Sequence, residues 1–476
     1  MNLIFSQEES RYFPPEDPLV RQKLEQWQDL KFGLLMHWGP YSQWGIVESW
    51  SICPEDYGWC RREKGSNPGN YFEYVKEYEN LKTTFNPVKF DPGKWAEAAG
   101  KAGMKYVIFT TKHHDGFCMF DSKYTDYKIT DPGCPFHTHP RANATKEIFS
   151  AFRKKGFWTG AYFSKPDWHS DDYWWPGFPP IDRNVNYDPS AYPDRWQNFV
   201  TFTHNQILEL MTGYGQVDIL WLDGGWVSKK TPDETMKSTI THLEQSDSHY
   251  MKHRYINQDI HMDELVNKCR EKQPGLIVVD RAVTGPNQNY LTPENRVPEK
   301  QLPYPWESCI IAGGGWSWVE NAAYKSSREL IHLLVDIVAK GGNLLLNIAP
   351  GPQGQWHDQA YDRLAEIGEW MEINGEAIYN TRAIAPYKED DICYTYNPST
   401  ETLYAIYTGM EETIPAEVRV SFNNVKKGTK IYMLGHKKPL HWEIKPDGLF
   451  IQVPESLRNH PPCKYAWTFR IVMSDK

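Results

Sequence analysis

The sequence has no surplus of positive charge. Lys and Arg number 52 against 61 Asp and Glu, for a formal net charge of −9. A phosphate-binding surface needs a basic excess, so nucleic acid is not an expected partner. No apolar run reaches the ~18 residues of a membrane helix, and the mean hydropathy is −0.65, so no membrane span is expected. Cysteine is sparse, eight in 476 residues, and no C-x-x-C occurs. That argues against a disulfide scaffold, a zinc ribbon or a thioredoxin-type site, and for free, partly buried thiols. There is no internal repeat, heptad or low-complexity tract. Neither G-x-G-x-x-G nor a Walker sequence appears. The start, MNLIFSQEES, has no basic region followed by an apolar one, so it does not read as a signal peptide. The expected location is either the cytoplasm or, for a mature form, the outside or periplasm.

Aromatics are what the chain has in excess. Trp 20, Tyr 28 and Phe 20 together make 14% of the residues, and charge is only 24%, which excludes disorder. Indoles are wide, flat and amphipathic, and suit surfaces that stack on something, sugar rings among them.

Short apolar runs recur along the first 370 residues: Phe32–Trp38, Tyr106–Thr111, Thr159–Ser164, Val217–Leu222, Leu276–Asp280 and Asn343–Ile348. Runs of four to eight residues are what strands buried on both faces look like. Helical stretches lie between them. Asp91-Pro92 opens one, Thr145-Lys146-Glu147 another that stops at Gly156, and Trp196–Gly213 and Leu330–Ala339 follow. Strand, helix, strand in series gives parallel strands with right-handed crossovers. The expectation is an α/β fold, a (β/α)8-type barrel over residues 1–378, with a doubly wound sheet as runner-up. After Tyr379, segments such as TLYAIYTG, AEVRVSF and WTFRIVM, separated by turn residues, predict a small C-terminal β-sandwich over 379–476.

In a parallel barrel the chemistry sits at the carboxyl ends of the strands. His37, the pair His113-His114, Asp223 before Gly224-Gly225, and Asp280-Arg281 all follow apolar runs. Two chemistries could use such a set. Glycoside hydrolysis needs two carboxyl groups flanking one bond, with indoles and imidazoles reading the sugar. Metal-assisted hydrolysis would use the histidines, including His137 and His139. However, adjacent residues on a strand face opposite ways, so His113 and His114 cannot both point inward unless the backbone has left β geometry. Asp223 ends a run so apolar that its carboxylate must emerge at the mouth or be buried at high cost. The alternative is an Asp that caps the following turn. The Trp-rich loop SKPDWHSDDYWWPGF (164–178) reads as too polar and turn-rich for core, and as a candidate for the leaving-group side.

KFGLLMHWGPYS (31–42), the long block 85–131 around KHHDGF, VDILWLDGG and GGNLLLNIAPGPQG (341–354) resemble the α-L-fucosidases of glycoside hydrolase family 29. The resemblance covers residues 20 to 380. It implies a retaining exo-hydrolase that removes terminal α-L-fucose from oligosaccharides or glycoconjugates, without cofactor or metal. It implies Asp223 as nucleophile, with Trp221 lining the same pocket. His37, His113 and His114 would contact the fucose hydroxyls. Glu48 and Trp50 match an E-W segment, although an extra Ser separates them in this chain. Arg281 matches the Arg leading to the acid/base loop, and Trp316 an aromatic over the C5–C6 side of the ring. The acid/base position varies in the family; Glu294 is the expected residue, with Glu307 and then Asp280 as fallbacks. The stretch 229–274 is longer than in short members, and Tyr162-Phe163 stands where two Tyr are more usual. L-Galactose differs from L-fucose by one hydroxyl, which a hydrophobic pocket rejects only modestly, so α-L-galactosidase is the alternative. A non-catalytic fucose-binding protein is more remote. The sequence does not indicate an oligomeric state.

Overall fold

The computed structural model describes residues 12–245, 254–409, 413–422, 424–425 and 428–473. The opening MNLIFSQEES lies outside the described residues, as does the middle of the 229–274 stretch.

The six apolar runs are strands, and a seventh joins them. They are β1 (Phe32–Met36), β2 (Tyr106–Lys112), β3 (Trp158–Ser164), β4 (Ile219–Asp223), β5 (Ile277–Asp280), β6 (Glu307–Ile311) and β7 (Asn343–Asn347). All pair in parallel, in the order β5-β4-β3-β2-β1-β7-β6. The barrel expectation needs one correction: among the described residues the sheet has seven regular strands, not eight. The gap between edges β5 and β6 is filled by residues 287–295, an irregular path. Its backbone bonds to β5 on one side (Asn289 N to Val278 O, 2.9 Å) and to β6 on the other (Glu307 N to Leu291 O, 2.8 Å). Pro293 brings no N–H, and the Asn289 side chain takes up the Val278 amide, so no regular ladder forms.

Period-two alternation sorts the side chains. Leu35, Ile108, Tyr162, Ile219, Trp221, Val279, Cys309 and Leu345 fill the lumen. The alternate residues, such as Leu34, Val107, Phe163, Leu220 and Val278, face the surrounding helices. Asp223 shares parity with Ile219 and Trp221, so it points into the mouth. The helices are α1 (Pro18–Leu30), α2 (Tyr71–Glu79), α3 (Pro92–Lys101), α4 (Ala144–Lys154), α5 (Pro193–Gly213), α6 (Pro232–Gln245), α7 (Met262–Lys272), α8 (Ser327–Ala339) and α9 (Asp358–Asn374). Asp91 caps α3 as its sequence predicts, accepting from Gly93 N and Lys94 N. α4 begins earlier than Thr145, because Asn143 supplies the cap. α1 closes the floor: Trp27 enters the lumen core and stacks on Tyr290 at 4.0 Å.

Beyond α9 the chain is antiparallel. A five-stranded sheet holds β8 (Arg382–Glu389), β9 (Ile392–Asn397), β10 (Thr402–Tyr407), β12 (Tyr432–Met433) and β15 (Trp467–Val472). A three-stranded sheet holds β11 (Glu417–Val420), β13 (Trp442–Lys445) and β14 (Gly448–Gln452). Tyr394, Leu403 and Phe469 of the first meet Val418, Leu449 and Ile451 of the second in one core, which is the sandwich arrangement. It leans on the barrel's outer helices, with Trp370 Nε1 donating to Ala466 O. None of the residues gathered at the barrel mouth comes from it.

Candidate active site

Asp223 ends β4 at the mouth, its side chain 17% exposed, and is surrounded by donors. Tyr162 Oη donates to its Oδ2 at 2.8 Å, the Gly224 amide to its Oδ1 at 2.8 Å, and Arg281 Nη1 to Oδ1 at 3.1 Å. Burial alone would raise this carboxyl. The Arg281 charge, with His114 and the Tyr162 and Gly224 hydrogen bonds, outweighs it and holds Asp223 well below the ordinary carboxylate range. His114 is itself neutral above about pH 3, so at neutral pH the guanidinium does most of this. An ionised, oriented carboxylate results. Gly224 has φ +87°, and a Cβ there would strike Pro166 at 2.3 Å, so the turn after Asp223 requires glycine.

The three histidines face this carboxylate. β2 ends at Lys112, and His113 and His114 follow in a turn. The backbone has left β geometry there, which is the condition under which both can point inward, and their rings lie 4.2 Å apart. His114 Nε2 is 3.9 Å from Asp223 Oδ2. His37 sits edge-on to Tyr162 at 5.3 Å. Its tautomer follows from Asn347, whose Nδ2 donates to Trp316 O at 2.8 Å. Asn347 Oδ1 is therefore the group 2.9 Å from His37 Nδ1, so Nδ1 carries the proton and Nε2 is left as an acceptor. Burial lowers His37 to about 4, offset in part by Asn347, and keeps it neutral. His113 is likewise pushed down by burial, and its Nδ1 is hydrogen-bonded to Ser49 Oγ. Ser49 is the residue inserted between Glu48 and Trp50.

Glu48 is buried, with φ +23° and Oε1 without a partner among the described residues. Burial raises its pKa to about 8; a bond with Ser317 opposes this, and the charges of Glu294 and Asp223 add to it. It therefore carries its proton at neutral pH and can donate. Trp50 stands edge-on to His114 at 5.1 Å.

Arg281 binds two carboxylates at once, Asp223 through Nη1 and Glu294 through Nη2. Glu294 lies on the irregular path between β5 and β6, exposed at the rim, and Trp316 Nε1 donates to its Oε1 at 3.2 Å. Trp316 is also 5.3 Å from the His37 ring. The fallback carboxyls are elsewhere. Glu307 begins β6, at the floor end, and is wholly buried, accepting from Tyr106 Oη at 2.6 Å and Trp221 Nε1 at 3.3 Å. Burial raises it to about 7. Asp280 ends β5 but is buried in an ion pair with Lys165 Nζ at 2.5 Å. Neither carboxyl bonds to the side chain of Arg281 or Asp223. Trp221 stacks on Tyr162 at 5.2 Å and floors the pocket.

Reading the sequence missed Tyr162 as a site residue, although strand parity from the end of TGAYFS would have placed it inward. It also missed Arg183, whose guanidinium is held by Glu55 (Nη2 to Oε2, 2.6 Å) and lies 4.9 Å from Trp50 and 5.1 Å from Trp226. The 164–178 loop is not the polar surface expected. Trp168, Tyr173 and Trp174 are buried with Tyr41, Tyr74 and Phe199 in a second core above the mouth. Trp168 still reaches the site, 5.1 Å from His114. Several other indoles serve packing alone: Trp38 against Phe90 and Trp95, and Trp306 buried below β6. His137 bonds to Cys134 O, and His139 stacks on Phe136. Among the described residues no group of three or more His, Cys, Asp or Glu could hold a metal ion.

Paired carboxylates bridged by an arginine, at the mouth of a parallel barrel and ringed by imidazoles and indoles, define a glycoside hydrolase. A family model for alpha-L-fucosidase matches residues 2–376, and one for the alpha-L-fucosidase C-terminal domain matches 386–472. The chain belongs to the alpha-L-fucosidase family. It is 28% identical to plasma alpha-L-fucosidase of Rattus norvegicus over 97% of this chain and 94% of that one. To tissue alpha-L-fucosidase of Homo sapiens it is 27% identical, over 97% and 92%. Among solved structures, alpha-L-fucosidase isoenzyme 1 from Paenibacillus thiaminolyticus superposes with a TM-score of 0.74 at 27% identity, covering 96% of this chain and all of that one. The fold is shared with a GH29 enzyme of Bacteroides thetaiotaomicron solved as a trapped covalent intermediate (TM-score 0.71, 22% identity, 97% and 98% covered).

Proposed function

We propose that this chain removes terminal α-L-fucose from fucosylated glycans with retention, Asp223 acting as nucleophile and Glu294 as acid/base. The carrying observation is that one guanidinium, Arg281, holds both carboxylates. A single bridge of that size fits the short separation of retaining enzymes, about 5–5.5 Å, better than the ~6.5–9.5 Å of inverting ones. Asp223, ionised and oriented, attacks the anomeric carbon, and Glu294 protonates the leaving oxygen. The glycosyl ester then yields to water that Glu294 deprotonates. His37 Nε2 accepts from a sugar hydroxyl and Glu48 donates to one. Trp221 and Trp316 cover the apolar faces of the ring.

Asp223→Ala should abolish turnover of an aryl α-L-fucoside, and azide should not restore product of the parent anomer; near-normal turnover would refute the nucleophile. Glu294→Ala should spare aryl substrates and cripple natural linkages. That pattern in Glu307→Ala instead would move the acid/base role. Assaying aryl α-L-fucoside beside aryl α-L-galactoside decides which sugar is preferred.

A further inference from the structure

We propose that a groove on the outer side of Glu294 is a leaving-group subsite for glycans that carry an anionic substituent, a sulfate ester or a carboxylate. The inference rests on reading Glu294 as the acid/base. The groove has a volume of about 330 Å3, the size of a small-ligand site (roughly 300–1,000 Å3). Asn295, Arg296, Val297, Ile310, Lys325 and Leu333 line it.

Its position follows from the backbone. Residue 294 bridges in parallel to Cys309 of β6, and Asn295, in a left-handed conformation (φ +49°), ends that contact. Glu294 turns in to Arg281, while Asn295 turns out, its Oδ1 accepting from Ile311 N at 3.0 Å. The order from Asp223 through Arg281 and Glu294 to Asn295 runs from the lumen over the rim into the groove. An acid/base stands between the cleaved sugar and its leaving group. A leaving group that extends over the rim beside Asn295 would meet the groove next.

The charge of the groove is one-signed. Among the described residues, Arg296 and Lys325 are its only ionic residues, and no acidic side chain lines it. Glu329, which feels the Lys325 charge, is already committed to Ser326 in the capping box of α8. Val297 and Leu333, backed by the buried Ile310, offer a small apolar wall for a ring face beside the two cations. Half-exposed cations of this kind each contribute a factor of roughly two to five to binding a matching anion.

The experiment uses the full chain and matched fucosylated oligosaccharides of one linkage, with the leaving portion neutral, sulfated or sialylated. Aryl α-L-fucoside serves as a short neutral reference. Wild type should show a higher kcat/KM for the anionic members. Arg296→Gln/Lys325→Gln should lower kcat/KM about fivefold or more on those members and leave the neutral and aryl substrates unchanged. Raising the salt concentration should erode the wild-type preference in the same direction. A preference for the sulfated or for the sialylated member alone assigns the group. Equal rates on neutral and anionic members, or a preference that survives the double variant, overturns the subsite while leaving the hydrolase reading intact. No hydrolysis of the aryl fucoside by wild type would instead overturn that reading, and the subsite with it.

Discussion

Arg281 is what keeps the Asp223 carboxylate charged, and removing it has a calculable effect. Burial raises the Asp223 carboxyl, and the guanidinium 3.1 Å from its Oδ1 is the foremost opposing group. Arg281→Gln keeps much of the shape and loses the charge. Removing one partner of a buried pair costs about 3–5 kcal/mol. One pKa unit is about 1.4 kcal/mol, so the carboxyl should climb by roughly 2–4 units. That carries it from well below the ordinary range into a region a pH–rate profile can see. The assay is kcat/KM against pH on an aryl α-L-fucoside, whose leaving group needs little protonation. In the wild type, the first group in the site to limit the acid side is His37, which titrates at about 4. In Arg281→Gln the Asp223 carboxyl should come into the range where His37 titrates, so the acid limb should steepen as two groups set it together, and the plateau should fall. Arg281→Lys should recover part of the loss, because an ammonium is a point charge and cannot hold two carboxylates as a fork does. An acid limb in Arg281→Gln that overlays the wild type would refute the reasoning, and would mean that Tyr162 and Gly224 suffice.

Further outcomes follow from the same site. Glu48 carries its proton up to about pH 8, so wild-type kcat/KM should fall as pH rises through that value, and Glu48→Gln, which donates without titrating, should lose this limb. A limb that persists in Glu48→Gln assigns it to another group. His37 has a folded value of about 4 against an ordinary 6.5, so its stabilising effect is complete above pH 6.5 and lost as pH falls toward 4. The gap of about 2.5 units corresponds to about 3 kcal/mol, read as the difference in denaturant stability between wild type and His37→Gln at pH 7 and pH 4. Trp168→Ala removes a buried indole that stacks on Trp174 and abuts His114, and should cost about 3–5 kcal/mol and lower both Tm and kcat/KM. A lower Tm with unchanged kcat/KM would show that the upper core does not position His114.

The barrel was legible because strands buried on both faces are written as apolar runs, and all six runs read from the sequence are strands. β6 escaped notice because its inward start, Glu307, is a carboxyl buried against Tyr106 and Trp221, and a polar residue interrupts the pattern that betrays the others. The eighth position was illegible because residues 287–295 spend Asn and Pro side chains on irregular backbone bonds rather than on a ladder. At the site, strand-end position alone found His37, His113, Asp223 and Arg281. Glu294 came only through family likeness, since nothing in NYLTPEN marks a rim carboxylate. The 164–178 loop misled because its Asp and Ser side chains bond the turns, His169 and Ser170 amides to Asp167 for example, which leaves the indoles free to pack inward. Composition along the chain does not show which member of such a mixture faces the core.

The uneven wall between β5 and β6 sets different evolutionary rules for the two carboxylates. β4 is registered on both sides, and a one-residue slip there would turn every side chain to the wrong face. Asp223 is thus anchored for as long as the barrel exists. The 287–295 path is tied at a few points only, so insertions and deletions can slide its carboxylate along the rim without inverting its neighbours. The enzyme couples an immovable half to an adjustable one. Loop exchange between relatives should therefore transplant preferences for what is released while leaving untouched the recognition of what is cut off.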